Sequence, residues 1–498
     1  MNQSSEERKM QKCCRVLDRL AGWIVSGIFI VSLLVPIVLH GLFYLYKLRD
    51  GQYLYFVLIL LALIGGYAFL RMNPKMDKGE KTNLRKGVLI ILFFIGGVAR
   101  IMAACYGKPE VDAEYCLWAA KNAAVGNFEW ADEMYFQQWG FQIPFVLFEA
   151  AILHVFNSVF AIHMVNVIAS LVAGYSLYRI AKDLTDDWNV ATAITALFLL
   201  MPSNVIRLGN PYNETISVMF LMLGLSIWIK GKREEQEVTR RTLLVYAFIS
   251  GLMLGIGKLF RTDGIILLIA IACWYIMSGL CELGKGRKKR FRFYIIEAAV
   301  LLGAYCMIVK MVDWLVVAAG INSFGVDNNC PYWKIVCGLT PDNYGSYHTR
   351  FSWLGNITNR EEQKAAFVDI MKQIFQEMDL RSWIWFYFNK IYNMWVVEEW
   401  YFGEMSGALL YLAKSFEKTI YFIILNISAI SGFFMMRESE KNGIRDVRWS
   451  LMIAFIGYFL IYLLIESVVR YRYLPVMVLF ILAAIGMQNL KKNIIKQA

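Results

Sequence analysis

The sequence predicts an all-α polytopic membrane protein with about twelve transmembrane helices and two structured outer loops, and three observations carry that prediction. Hydrophobic residues make up 58% of the 498 positions and charged ones only 18%, well away from the roughly half apolar and quarter charged composition of soluble domains. Apolar runs recur from one end of the chain to the other, each near the ~20 residues that cross a bilayer. Short loops rich in Lys and Arg separate them, as in cytoplasmic connections. No stretch is left for an independent soluble domain of ordinary size. The net charge of +12 is therefore topological, directed at orientation and anionic lipid rather than at nucleic acid.

In chain order the spans fall near 21–46, 52–70, 87–105, 158–180, 189–206, 212–230, 242–260, 263–283, 294–318, 410–436, 449–467 and 473–490. The first is longer than a signal-peptide core and lacks a small-residue cleavage site, so it is expected to be retained. With these spans, the basic loops Arg71–Lys86, Lys230–Arg241, Lys285–Arg292, Arg437–Arg448 and Lys491–Lys496 all lie inside, and both termini are cytoplasmic. The segment Phe141–Phe156 is apolar but short and carries Glu149 and His154. Counting it as a crossing would put Lys285–Arg292 outside, so it is expected to lie at the interface. Two long segments then face outward in a plasma membrane, Tyr106–Asn157 and Ile321–Met405. The second contains an amphipathic stretch, Glu361–Met378, and structured loops of this length usually carry function.

Nine cysteines are scattered without a metal-binding spacing. Cys13 and Cys14 fall in the cytoplasmic tail, and Cys330 and Cys337 share an outer loop, where they are read as free thiols. Three of the four histidines, His40, His154 and His163, lie in apolar segments and are read as hydrogen-bonded structural residues. The aromatic stretch Trp383–Tyr401 reads as an interfacial belt.

Some basic residues break the inner-loop pattern. Lys258 and Arg261 end a span at the outer face, and their i,i+3 spacing puts them on one face of a helix. Arg470 and Arg472 flank another outer end; two residues apart, they point to opposite sides, and Arg470 is the preferred anion ligand. Arg100 and Arg207 also lie near outer helix ends. Each could instead snorkel, or Arg470 could pair with Glu466 one turn earlier. Together they suit a phosphate, because charges near the bilayer are costly without a partner. The first outer loop supplies carboxylates on the same side. Asp112 and Glu114 follow a transmembrane exit and are candidates for acid/base or metal-binding work, with Asp132 and Glu133 as a second pair.

These features resemble the GT-C superfamily of membrane glycosyltransferases, in particular the protein-mannosyltransferase-like and aminoarabinose-transferase-like branch that uses polyprenyl-phosphate-linked sugars. The resemblance runs from about residue 87 to 490. It rests on Asp112-Ala-Glu-Tyr followed by Gly126-Asn-Phe, on Tyr135-Phe-Gln-Gln-Trp-Gly-Phe-Gln-Ile-Pro144, on Asn210-Pro-Tyr-Asn-Glu214-Thr, on Phe260-Arg-Thr-Asp263 and on Arg470-Tyr-Arg-Tyr-Leu-Pro475. The family's Asp-Glu dipeptide is Asp-Ala-Glu here, which leaves open whether Asp112 or Glu114 is the key carboxylate.

The resemblance implies a GT-C-type fold: residues 1–86 form a tail and two extra spans, 87–320 the GT-C-like membrane module with first outer loop 106–157, 321–405 the large outer loop, and 406–498 the C-terminal spans. It implies transfer of a sugar, with inversion, from a polyprenyl-phosphate donor to an extracytoplasmic glycan, teichoic acid, lipid or protein. Asp112, or Glu114, would be the base. Lys258, Arg261, Arg470 and Arg472 would hold the lipid phosphate. Tyr115, Glu133, Gln138, Glu214, His348, Glu398 and Glu399 are the further substrate-contact candidates. Whether a divalent cation takes part is left open. The competing readings are a lipid-linked saccharide flippase or other transporter, which would need basic residues along a path through the membrane, and a polysaccharide polymerase.

Overall fold

The computed structural model describes residues 5–71, 78–327, 330–357, 359–399, 406–442 and 446–497. Nineteen α-helices run through them. The membrane-embedded first part comprises α1 (Ser5–Arg49), α2 (Leu54–Arg71) and α3 (Lys78–Tyr106). The first long loop carries α4 (Asp112–Ala124), α5 (Met134–Gln138) and α6 (Ile143–Phe156). Then follow α7 (Val159–Thr185), α8 (Trp188–Leu200), α9 (Pro202–Ile206), α10 (Asn213–Arg233), α11 (Arg240–Phe260), α12 (Ile265–Gly284) and α13 (Lys288–Ala318). The second long loop holds α14 (Pro331–Leu339), α15 (Arg360–Glu377) and α16 (Leu380–Trp395). The chain closes with α17 (Gly407–Asn442), α18 (Arg448–Leu464) and α19 (Tyr473–Gln497).

Ten helices among the described residues are long and apolar enough to cross a membrane, so the chain is an all-α polytopic membrane protein. Two of the expected spans differ from simple crossings. The run at 189–206 is broken between α8 and α9, which are bent by 61°. Pro202 is the cause: it lacks an N–H, and the preceding Met201 is extended. The freed carbonyls find other donors, as a bilayer demands. Asn204 Nδ2 donates to Phe198 O at 3.2 Å. Arg100 Nη1 donates to Leu199 O at 2.8 Å, besides Gly96 O in its own helix at 3.0 Å. The second exception, α18, has only 17 residues. Helix α6, with 14 residues, is about 21 Å long at 1.5 Å per residue, shorter than a ~30 Å hydrocarbon core.

Ion pairs sort the helix ends into two faces. On one, Arg233 meets Asp183 at 3.1 Å, Arg290 meets Glu235 at 2.9 Å, Arg448 meets Glu438 at 2.7 Å, and Lys491 meets Asp187 at 2.5 Å. The basic loops at 230–241 and 285–292 thus gather with Glu438, Arg448 and the end of α19. At the other face, the starts of α4 and α10, the α11–α12 turn and the turn before α19 converge with α14. Residues 72–77, 400–405 and 443–445 lie outside the described residues.

Candidate functional site

The local chain geometry starts from two glycines. A Cβ on Gly107 would sit 2.0 Å from the Cα of Gly209, so only glycine allows the exit of α3 to lie against the turn before α10. Asn210 then accepts from Glu110 N at 3.0 Å, and Tyr212 O–H donates to Glu110 O at 3.1 Å. The loop is pinned beside α10, and Val111 takes a φ of 52°. That value is strained for a β-branched residue and is held by its surroundings. The next residue is Asp112, at the first turn of α4.

Asp112 Oδ2 accepts from Arg470 Nη2 at 2.5 Å. Arg470 Nε lies 3.7 Å from Glu214 Oε1, and the same oxygen accepts from Arg261 Nη1 at 2.6 Å. Arg261 in turn reaches Asp263 at 3.3 Å, and Tyr462 O–H donates to Asp263 Oδ2 at 3.4 Å. The guanidinium of Arg470 stacks 4.5 Å from the Tyr212 ring, and that of Arg261 4.7 Å from Tyr471. Burial opposes the charge on Arg261, but Asp263 and Glu214 outweigh it and raise its pKa above the ordinary value. The result is a chain of alternating charges, Asp112–Arg470–Glu214–Arg261–Asp263, at one membrane face. Its outer end is open, since the Asp112 side chain is 28% exposed whereas that of Glu214 is 4% exposed.

Beside this chain, Lys334 of α14 pairs with Glu466, reaches Tyr471 O–H at 3.2 Å and lies 5.1 Å from the Trp139 ring. Burial disfavours its charge, while Tyr471 and Glu466 raise its pKa above the ordinary lysine value. Lys390 of α16, itself fully buried, donates to the carbonyls of Leu463 at 3.1 Å and Ile465 at 2.9 Å and to that of Gly338. It ties the second long loop to the break between α18 and α19.

Several expectations change. Lys258 and Arg261 do not share a helix face: α11 ends at Phe260, Arg261 is extended (φ −149°, ψ 128°), and Lys258 points to Asp327 at 3.8 Å. Capture of Arg261 by Glu214 and Asp263 accounts for the difference. Glu466 pairs with Lys334, not Arg470. Arg472 points the opposite way from Arg470, into the fold, donating to Val397 O at 2.8 Å and Met394 O at 3.3 Å. Arg100 and Arg207 serve the interior. Arg100 also donates to Ser170 Oγ at 2.9 Å, and Arg207 forks onto both oxygens of Glu399 at 2.7 Å. Glu399 is therefore buried, and Glu398 lies 3.4 Å from Lys418.

Glu114 is exposed and has no ion pair among the described residues. Tyr115 stacks on Trp118 and Phe136, with its hydroxyl toward the exposed Glu133. Gln138 packs against Gly355 in the second long loop. His348 is held inside that loop: its Nδ1 accepts from Arg350 N at 2.8 Å and its Nε2 lies 3.7 Å from Asp342. Cys330 and Cys337 are buried thiols, not joined in a disulfide. His40 and His163 meet the backbone oxygens of Trp395 and Leu208 at 3.0 Å, and His154 that of Ala124 at 3.1 Å. No group of three or more His, Cys, Asp or Glu side chains suited to a metal ion occurs among the described residues. Asp263 and Glu466 stand in motifs already singled out, but nothing in the sequence around Lys334 marked it.

The family model described as dolichyl-phosphate-mannose-protein mannosyltransferase matches residues 144–319. That family is one of the GT-C superfamily, and the match suggests a membrane glycosyltransferase of the GT-C type. The matched part contains Glu214, Lys258 and Arg261; Asp112 and Arg470 flank it on either side. No curated protein matches the chain.

Proposed function

We propose that the protein transfers a sugar from a polyprenyl-phosphate donor to an extracytoplasmic acceptor, with inversion at the sugar. The observation that supports this best is the convergence of Asp112, Arg470, Glu214 and Arg261 at one membrane face, where the head of a lipid-phosphate donor lies. The acceptor hydroxyl attacks the anomeric carbon opposite the phosphate. As the new C–O bond forms, the bond from carbon to phosphate oxygen breaks and the electron pair leaves with the lipid phosphate. Asp112 takes the hydroxyl proton. Arg470 and Arg261 stabilise the charge developing on the phosphate, and Lys258 adds a third cation at the rim. In the resting site Arg470 is neutralised by Asp112; a bound phosphate competes for Arg470 and frees the carboxylate.

This reading puts the site and both long loops outside the cytoplasm, with the basic loops inside. Residues 87–320 form its catalytic module and 321–405 its cover. The acceptor is a glycan, teichoic acid, lipid or protein.

The test is reconstitution in liposomes with a polyprenyl-phosphate sugar labelled in the sugar. Release of free polyprenyl phosphate with label in an added acceptor is expected. Movement of the intact donor between leaflets, with no release, would mean a flippase instead.

A further inference from the structure

On the face opposite this site, a cavity of about 580 Å³ opens between the α10–α11 and α12–α13 turns. We propose that it binds the phosphate head group of an anionic phospholipid. Arg240, Arg287, Lys288, Lys289 and Arg290 line it, against a single carboxylate, Glu235. Two of the five cations are already engaged: Arg290 with Glu235 at 2.9 Å and Arg287 with Glu282 at 3.3 Å. Arg240, Lys288 and Lys289 are exposed and have no ion-pair partner among the described residues.

Arg240 opens α11 and Lys288 and Lys289 open α13, the helix ends where cations are disfavoured. Mutual repulsion adds to that cost. A bound anion offsets both. The remaining lining includes Val238, Leu243 and Phe293, so the cavity has an apolar wall as well as a charged mouth. Farther along the same helices, Val245, Phe248, Ile295 and Ile296 are exposed large hydrophobics, the surface that acyl chains cover in a bilayer. Charged mouth and apolar continuation together favour a lipid head group over a free phosphate. Basic pockets between helices at a membrane face bind such head groups.

The experiment uses the purified full chain in neutral detergent, titrated with phosphatidylglycerol or phosphatidylcholine and read by native mass spectrometry for retained lipid. Phosphatidylglycerol should be retained and phosphatidylcholine should not. A basic residue near anionic lipid contributes roughly fivefold in affinity, so Lys288→Ala/Lys289→Ala should weaken retention by about twenty-five-fold. Lys182→Ala removes an exposed lysine outside the cavity lining and should leave retention unchanged. Inorganic phosphate at the lipid concentration should not displace the lipid. Equal retention by wild type and the double variant, equal loss in Lys182→Ala, or displacement by inorganic phosphate would each overturn the proposal.

Discussion

Arg470 Nη2 donates to Asp112 Oδ2 at 2.5 Å across 358 positions of chain. The first long loop and the turn before α19 are thereby joined at one point. Glu214 and Arg261 extend that pair inward, so a charge change at any of the four is felt by the others.

Arg261→Ala should weaken donor-lipid affinity by at least tenfold. It also removes the shorter ion pair of Glu214, buried at 3% exposure, and leaves it Arg470 Nε at 3.7 Å, which costs roughly 1–3 kcal/mol. Adding Glu214→Gln should recover most of the melting temperature without restoring donor binding. Binding measured on purified protein separates the two effects; normal donor affinity in the stable double variant would remove Arg261 from the phosphate site.

Lys334→Ala leaves Glu466 buried and uncompensated, with an expected loss of about 3–5 kcal/mol. Lys334→Met/Glu466→Gln should melt close to wild type in detergent. A double variant as unstable as the single one would show that the pair is not what joins α14 to the turn before α19.

Arg100 satisfies the Leu199 carbonyl opened by the break at Pro202. Arg100→Met should therefore lower the melting temperature, since an unpaired buried carbonyl costs about 1–3 kcal/mol, while donor affinity per folded molecule stays unchanged. A selective loss of donor binding would return Arg100 to the list of anion ligands.

Lys285→Cys should be shielded from an impermeant thiol reagent in intact cells, and Lys121→Cys, in the first outer loop, should react. The reverse pattern would invert the orientation.

Much of this was legible in the sequence. Span positions follow from apolar runs, and basic loops at one face follow from their charge. Asp112, Arg470, Arg261 and Glu214 could each be singled out as polar residues at span ends. Their pairing could not, because it depends on how helices far apart in sequence pack. The i,i+3 argument for Lys258 and Arg261 failed because it assumes an unbroken helix, and Glu214 and Asp263 pull Arg261 out of it. The apolar run over 189–206 hides its break, since one proline does not lower hydrophobicity. Lys334 gave no signal at all: its partners, Glu466 and Tyr471, lie more than a hundred residues away.

The central claim is that Asp112 is the base of a glycosyl transfer, and the most direct measurement is turnover of a polyprenyl-phosphate sugar by Asp112→Asn beside Glu114→Gln. The amide keeps the size of the side chain and can still contact Arg470, but cannot take a proton. Transfer by Asp112→Asn should fall about a hundred- to ten-thousand-fold with donor binding retained, and Glu114→Gln, altering an exposed side chain, should stay near wild type. Loss of transfer in Glu114→Gln with Asp112→Asn active would make Glu114 the base, and full activity in both variants would contradict the glycosyltransferase account itself.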